Sequence, residues 1–270
     1  MPVRRQISLF FIATQFLTRV PVPTPQEFQL TSLAYSARYF PLVGALVGTA
    51  NVAVWWLCRH WFPSNISIGL MLAASLLITG ALHEDGFADA CDGFGAGRAP
   101  EQILMIMKDS RIGAYGAIGI VMLLGLKWLT LLAVPESLFP VLVISAHMVS
   151  RWCATGLIWA LHYVRLENDG KAKPFADSLT GGNWLLSGLI GAAPIVAFAL
   201  ARAGATLTLL GTACAAATLA ALATAGLAAI YCRIRIGGYT GDCLGAVQQL
   251  SELAFLLIAI AVLVPAPAFG

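Results

Sequence analysis

Charge is what this chain has least of. Only 11% of its 270 residues are Asp, Glu, Lys or Arg and 59% are apolar, whereas a soluble domain is about 25% charged and about 45–50% apolar. A chain so poor in polar surface cannot cover itself in water, which sets aside a soluble fold with an unusually apolar core. Cysteine is sparse too. The six (Cys58, Cys91, Cys153, Cys214, Cys232, Cys243) show no CxxC spacing, so they read as reduced packing residues and exclude a disulfide frame or a zinc site. No cleavable signal peptide is expected, because Thr18, Arg19 and a Pro-rich stretch follow the apolar run 7–17 where small residues would mark a cleavage site. There is no low-complexity tail and no convincing internal repeat, so residues 1–270 read as one domain. A nucleic-acid partner is not expected.

What the chain does have is long apolar runs. A hydrocarbon core about 30 Å thick takes about 20 apolar residues per helical span, and windows of that kind lie near 38–58, 67–82, 114–134, 138–161, 184–201, 207–230 and 250–265. Backbone groups facing lipid must be satisfied within their own segment, so the expected fold is all-α: a polytopic bundle of about seven spans. The run 7–17 is too short to cross and is expected as an interfacial or re-entrant N-terminal helix.

Threading those spans from a cytoplasmic N-terminus puts Arg4, Arg5, Arg19, Arg38, Arg98, Lys108, Arg111, Arg165, Lys171, Lys173, Arg233 and Arg235 on one side, leaving Arg59 and Arg202 on the other. The positive-inside rule makes the richer side cytoplasmic. Acidic residues sort the same way, although the rule does not require it of them. Glu84, Asp85, Asp89, Asp92, Glu101, Asp109, Glu167, Asp169, Asp177 and Asp242 share the basic side and Glu136 alone lies opposite. The long cytoplasmic loops therefore read as a working surface, and the external turns as connectors.

Three stretches carry the chemistry. The first runs His83-Glu84-Asp85-Gly86-Phe87-Ala88-Asp89-Ala90-Cys91-Asp92-Gly93-Phe94-Gly95, where Asp85, Asp89 and Asp92 at i, i+4, i+7 share one face if the second span continues as helix. Like charges so close raise one another's pKa unless a cation offsets them. Mg²⁺ suits oxygen ligands of this kind; a solvated helix end is the plainer alternative, and zinc lacks a second His or Cys. The second stretch, Met107-Lys108-Asp109-Ser110-Arg111-Ile112-Gly113-Ala114-Tyr115-Gly116, spaces Lys108 and Arg111 to grip phosphate oxygens. Gly113 and Gly116 would let a phosphate approach a helix N-terminus; simple membrane anchoring is the alternative for the two cations. The third, Gly237-Gly238-Tyr239-Thr240-Gly241-Asp242-Cys243-Leu244-Gly245, offers backbone approach at Gly238 and Gly241, a donor in Thr240 and a further metal ligand in Asp242, or else a tight helix connection. Lys127 and Arg151 fall inside apolar windows, where each should face the bundle interior or a wet cavity. Arg151, with His147 one turn earlier, could reach toward phosphates or pair with Glu252.

These three blocks, in this order, resemble the signatures of the cobalamin synthase (adenosylcobinamide-GDP ribazoletransferase) family. The N-terminal strings Phe16-Leu17-Thr18-Arg19-Val20-Pro21-Val22-Pro23 and Arg38-Tyr39-Phe40-Pro41-Leu42-Val43-Gly44 are similar to that family's opening. The resemblance implies a Mg²⁺-dependent transferase of the bacterial inner membrane, in contact with lipid and with its site facing the cytoplasm; a homo-oligomer is allowed. It would join adenosylcobinamide-GDP to the 5′-hydroxyl of α-ribazole or α-ribazole 5′-phosphate, releasing GMP. On that reading Asp85, Asp89, Asp92 and Asp242 hold metal, and Lys108 and Arg111 hold the diphosphate. Glu84 or Asp109 is the general base, and Arg38, Ser110, Gly113, Arg151, Gly238, Thr240 and Gly241 bind substrate. Rival readings fit less well. A CDP-alcohol phosphotransferase would need D-G-x-x-A-R, a prenyltransferase two aspartate-rich motifs, and a cation transporter ionisable groups near mid-membrane in several spans, where the main candidates here, Lys127 and Arg151, are both positive.

Overall fold

The structure, a computed structural model, describes residues 3–23, 32, 35–164, 179–201 and 205–264, with side-chain surroundings given outside 193–208. Ten α-helices appear among them: α1 (Val3–Leu17), α2 (Phe40–Cys58), α3 (Ser64–Thr79), α4 (Leu82–Ala96), α5 (Pro100–Lys108), α6 (Ala114–Leu132), α7 (Phe139–Ala160), α8 (Gly181–Ala201), α9 (Ala205–Ile236) and α10 (Gly241–Leu263). No strand occurs among the described residues; a single bridge joins Tyr163 to Tyr239. The expected all-α bundle is present. Five helices, α2, α6, α7, α9 and α10, are long and apolar enough to cross a membrane, and α3 with α4 passes the same test only as a bent pair.

That bend changes the picture drawn from sequence. The apolar run near 67–82 does not carry straight on into the acidic stretch. Gly80 (φ 65°) and Ala81 (φ 55°) both take left-handed backbone, which ends α3 and turns the chain by 89° into α4. Left-handed backbone is easy for Gly and costs Ala about 1–2 kcal/mol. The turn is nevertheless tied in: the Arg19 amide donates to the Ile78 carbonyl at 2.7 Å, and the Arg19 side chain lies where a Gly80 Cβ would fall.

α7 is the central post, with 83% of its apolar window buried, against 28% for α6. α2 approaches it at Gly44 and Gly48, where an added Cβ would come within 2.4 Å of the His147 carbonyl and 2.9 Å of the Ile144 Cα. Small residues at such crossings let membrane helices pack backbone to backbone. α10 lies against α7 and α9, and α4 crosses beside it. α9, at 32 residues, is about 48 Å long at about 1.5 Å per residue, so it overruns a hydrocarbon core of about 30 Å. The last helix begins at Gly241, nine residues ahead of the apolar window near 250, and this places Asp242 in its first turn. At the opposite end of the bundle Arg59 and Glu136 form an ion pair of 2.7 Å, so two of the three charged residues assigned to the sparse side share one end; the third, Arg202, lies outside the described residues.

Candidate active site

α4 presents two different faces. Outward it shows Asp85, exposed, and Asp89, half-buried. Inward it buries His83 and Glu84. The helix does continue from 82 to 96, so the i, i+4, i+7 spacing holds, but the third acid has another task. Asp92 is buried and accepts the Gly113 amide at 2.7 Å and the Gly116 amide at 2.9 Å. Gly113 is the N-cap residue of α6 and has no side chain of its own to cap it; Asp92 caps that helix from α4, where a carboxylate also complements the helix dipole. A Cβ at Gly113 or Gly116 would come within 2.4 Å of an Asp92 oxygen. The amides expected to receive a phosphate at Gly113 thus already hold the protein's own carboxylate, and Asp92 is a cap before it is a ligand.

Asp242 reaches α4 through a close helix crossing. A Cβ on Gly86 would lie 3.1 Å from the Asp242 Cα, and one on Gly245 2.8 Å from the His83 carbonyl. Two glycines therefore let α10 and α4 touch backbone to backbone, with Asp242 beside Gly86, the residue that follows Asp85 in the chain. Thr240 is buried at this junction. Its Oγ1 accepts the Cys243 amide at 3.3 Å as the N-cap of α10 and donates to Asp242 Oδ2 at 3.2 Å, so it orients Asp242. Gly238, expected against substrate, packs against the chain: its Cβ would fall 2.1 Å from the His162 carbonyl. The Tyr239 amide donates to that same carbonyl at 2.9 Å. Gly241, the first residue of α10, is half-buried beside Asp242.

The basic block lies at the surface. Lys108 ends α5, and Lys108, Ser110 and Arg111 are exposed. Arg111 Nη2 donates to Asp109 Oδ2 at 2.6 Å and its Nε reaches Oδ1 at 3.0 Å. This fork holds the Asp109 carboxyl at a pKa of about 2, through hydrogen bonds from the Arg111 side chain and backbone. A carboxylate held that acidic is a poor proton acceptor, which argues against Asp109 as the base. Arg38 is buried, donating from Nε to the Tyr35 carbonyl at 2.9 Å with its guanidinium 5.4 Å from the Tyr35 ring centroid.

Glu84 and Arg151 belong to a polar network inside the bundle that the sequence reading only partly anticipated. Lys127 Nζ donates to Glu252 Oε1 at 2.7 Å and to Gln249 Oε1. Gln249 Nε2 passes a 2.7 Å hydrogen bond to Glu84 Oε1. Gln248 donates to Glu252 Oε2 at 2.7 Å, His147 Nδ1 stands 3.3 Å from that oxygen, and Arg151 Nη1 donates to the His147 carbonyl at 3.0 Å. Arg151 is 1% exposed, so it joins this network and does not reach the outward face. Asn51 extends it to Ser75 at 3.1 Å. A cavity of ≈ 20 Å³ sits among Asn51, Ser75, Glu84, Lys127, His147 and Glu252, space for a single water, which needs at least about 10–15 Å³. The sequence signal for this network was Gln248, Gln249 and Glu252 inside an otherwise apolar run.

Can the outward face hold a metal? Among the described residues no three His, Cys, Asp or Glu side chains form a set that could close around one. Asp89 and Asp242, on either side of the α4–α10 crossing, offer oxygen ligands only. Mg²⁺ asks for no more than one or two carboxylates, taking its other ligands from water and substrate phosphate, so the residues present fit it and fit zinc poorly. All six cysteines are free thiols.

The cobalamin-5-phosphate synthase family profile matches residues 9–260. Among curated relatives, an adenosylcobinamide-GDP ribazoletransferase from Ralstonia pickettii is 42% identical over 94% of this chain and 95% of its own length. One of the same name from Shewanella oneidensis is 39% identical over 96% and 95%, and one from Leptothrix cholodnii 42% over 93% and 94%. No solved structure matches. With the signature acids, the basic loop and the α10 cap in one fold, and with matches of this extent, the chain belongs to the cobalamin-5-phosphate synthase family, whose curated relatives are adenosylcobinamide-GDP ribazoletransferases.

Proposed function

We propose that this protein is an adenosylcobinamide-GDP ribazoletransferase, joining the cobinamide phosphoryl group to the 5′-hydroxyl of α-ribazole or its 5′-phosphate with release of GMP. Near-full-length similarity to relatives of that name supports the reaction. The site is assigned to the outward face of α4 with the first turn of α10, and the observation that carries this assignment is the Gly86–Gly245 crossing that sets Asp242 beside that face.

Phosphoryl transfer asks a protein mainly for positioning and charge neutralisation. Asp89 and Asp242 would hold Mg²⁺, which supplies positive charge to the diphosphate oxygens. Lys108, exposed at the end of α5, grips the departing GMP. Arg111 shares its guanidinium with Asp109 and swings to phosphate only by breaking that fork. Asp85, the exposed acid of α4, takes the proton of the attacking hydroxyl in place of Asp109, held too acidic, and Glu84, which faces inward. By the excess of Arg and Lys at this end, the face looks into the cytoplasm, and the host membrane is the bacterial inner membrane.

The test is to incubate purified protein in lipid with adenosylcobinamide-GDP, α-ribazole and Mg²⁺. Stoichiometric GMP and a completed corrinoid are expected, and absence of both with intact, folded protein removes the reading.

A further inference from the structure

The network inside the bundle has no part in the chemistry described so far, yet it ends on the acidic helix. α4 begins directly after two left-handed residues and has no side-chain N-cap. Its first turn is held by the Gly245 crossing and by one buried hydrogen bond, Gln249 Nε2 to Glu84 Oε1 at 2.7 Å. A glutamine amide can face either way, but Lys127 decides the matter here. An ammonium has donors and no acceptor, so Gln249 must turn its oxygen to Lys127 Nζ, and its amino group is left aimed at Glu84. Glu252 takes a second proton of the same ammonium at 2.7 Å and is itself braced by Gln248. Lys127, Gln249 and Glu252 are all buried and come from α6 and α10, the two helices whose N-termini receive Asp92 and carry Asp242.

We propose that Lys127 and Gln249 are positioning residues: the ammonium fixes the Gln249 amide, the amide fixes Glu84, and Glu84 sets the rotation of α4 that turns Asp85 and Asp89 toward Asp242. The role in turnover rests on the site assigned above, whereas the effect on α4 does not. A buried side-chain chain of this kind acts on its target through geometry, because each hydrogen bond orients the group that makes the next and a substitution at one end leaves the other free to turn. Displacement of a reacting group by about 1 Å costs on the order of 100-fold in rate.

The test compares wild type with Gln249→Met, which keeps length and removes both hydrogen bonds, and with Gln249→Glu, which keeps the Lys127 contact but sets a second carboxylate against Glu84. Amide hydrogen exchange is followed over 82–96 and over 139–160, together with kcat and the KM for the corrinoid substrate. Faster exchange confined to 82–96, with kcat down about ten-fold or more and KM little changed, is the expected result. Unchanged exchange over 82–96 in either folded variant overturns the proposal, as does an equal rise over 82–96 and 139–160, which would mark general loosening of the bundle. If Gln249→Met does not accumulate, Gln249→Glu decides alone. Because exchange needs neither metal nor substrate, a local effect on α4 with normal kcat would sink the proposed site and leave the α4 link standing.

Discussion

The two sides of α4 hold similar residue types under opposite conditions. Outward, Asp85 and Asp89 look away from the core on a face that α10 reaches only at its first turn. Inward, Glu84 sits in an apolar bundle among Lys127, Gln249 and Glu252. In the bundle a lone charge would cost at least about 2.5–3.5 kcal/mol, so every ion there comes with a partner and the group as a whole is locked. At the outer face a carboxylate can wait for a ligand at little cost. The same side-chain chemistry therefore serves as structure on one side of a helix and as a candidate reaction centre on the other.

The sharpest way to break this contrast is on the buried side. Lys127→Met leaves Gln249 Oε1 and Glu252 Oε1 without the ammonium that both accept from, and removing one partner of a buried pair destabilises by about 3–5 kcal/mol; thermal unfolding in detergent should show a clear drop in Tm. A neutral result would mean that the pair is not locked. On the outer side the pattern should reverse. Asp89→Ala is expected to lower turnover about 100-fold or more, near 2.7 kcal/mol of transition-state stabilisation, as read by GMP release, with a smaller change in Tm than Lys127→Met. Between the two lies Gly86→Ala, whose Cβ would press on the Asp242 backbone at 3.1 Å. Overpacking of this sort costs about 1–3 kcal/mol, and it should lower both Tm and turnover by moving one face against its partner.

Asp92→Ala removes the cap that α6 borrows from α4 and should cost about 0.5–2 kcal/mol, with faster amide exchange at Gly113 and Gly116. The smallest effect belongs to Asp109. Its pKa is depressed to about 2 by Arg111, below an ordinary Asp value of about 3.9, so the pair is fully formed above about pH 4 and is lost only as pH falls through about 2. Asp109→Asn should therefore leave the acid limb of the pH–rate profile where it is. A collapse of turnover with loss of that limb would restore Asp109 as a candidate base.

The sequence made the bundle legible because apolar length alone separates spans from loops, and α2, α6, α7 and α9 fall close to their windows. It also showed the acid stripe, since the spacing of Asp85, Asp89 and Asp92 depends only on local helix. What it could not show was direction. The 89° turn at Gly80–Ala81 depends on two backbone conformations, one of them at an alanine, a residue that carries no turn signal. Asp92 looked like a ligand for a metal ion and Gly113 like a seat for a phosphate, because their mutual contact spans 21 positions in the chain. Lys127 found its partners 122 and 125 positions away, a pairing that requires α6 and α10 to be neighbours. Of the external and cytoplasmic charges named in the sequence, Arg165, Glu167, Asp169, Lys171, Lys173, Asp177 and Arg202 lie outside the described residues.

The most direct check on the outward face as the reaction centre is a Mg²⁺ titration of turnover in Asp242→Asn beside wild type, each at saturating corrinoid and ribazole. A half-saturating Mg²⁺ concentration raised about ten-fold or more, corresponding to about 1.4 kcal/mol of lost binding, is expected when a carboxylate ligand becomes a neutral amide. Superimposable titration curves would mean that Asp242 takes no part in holding the ion, and that α10 does not complete the site on α4.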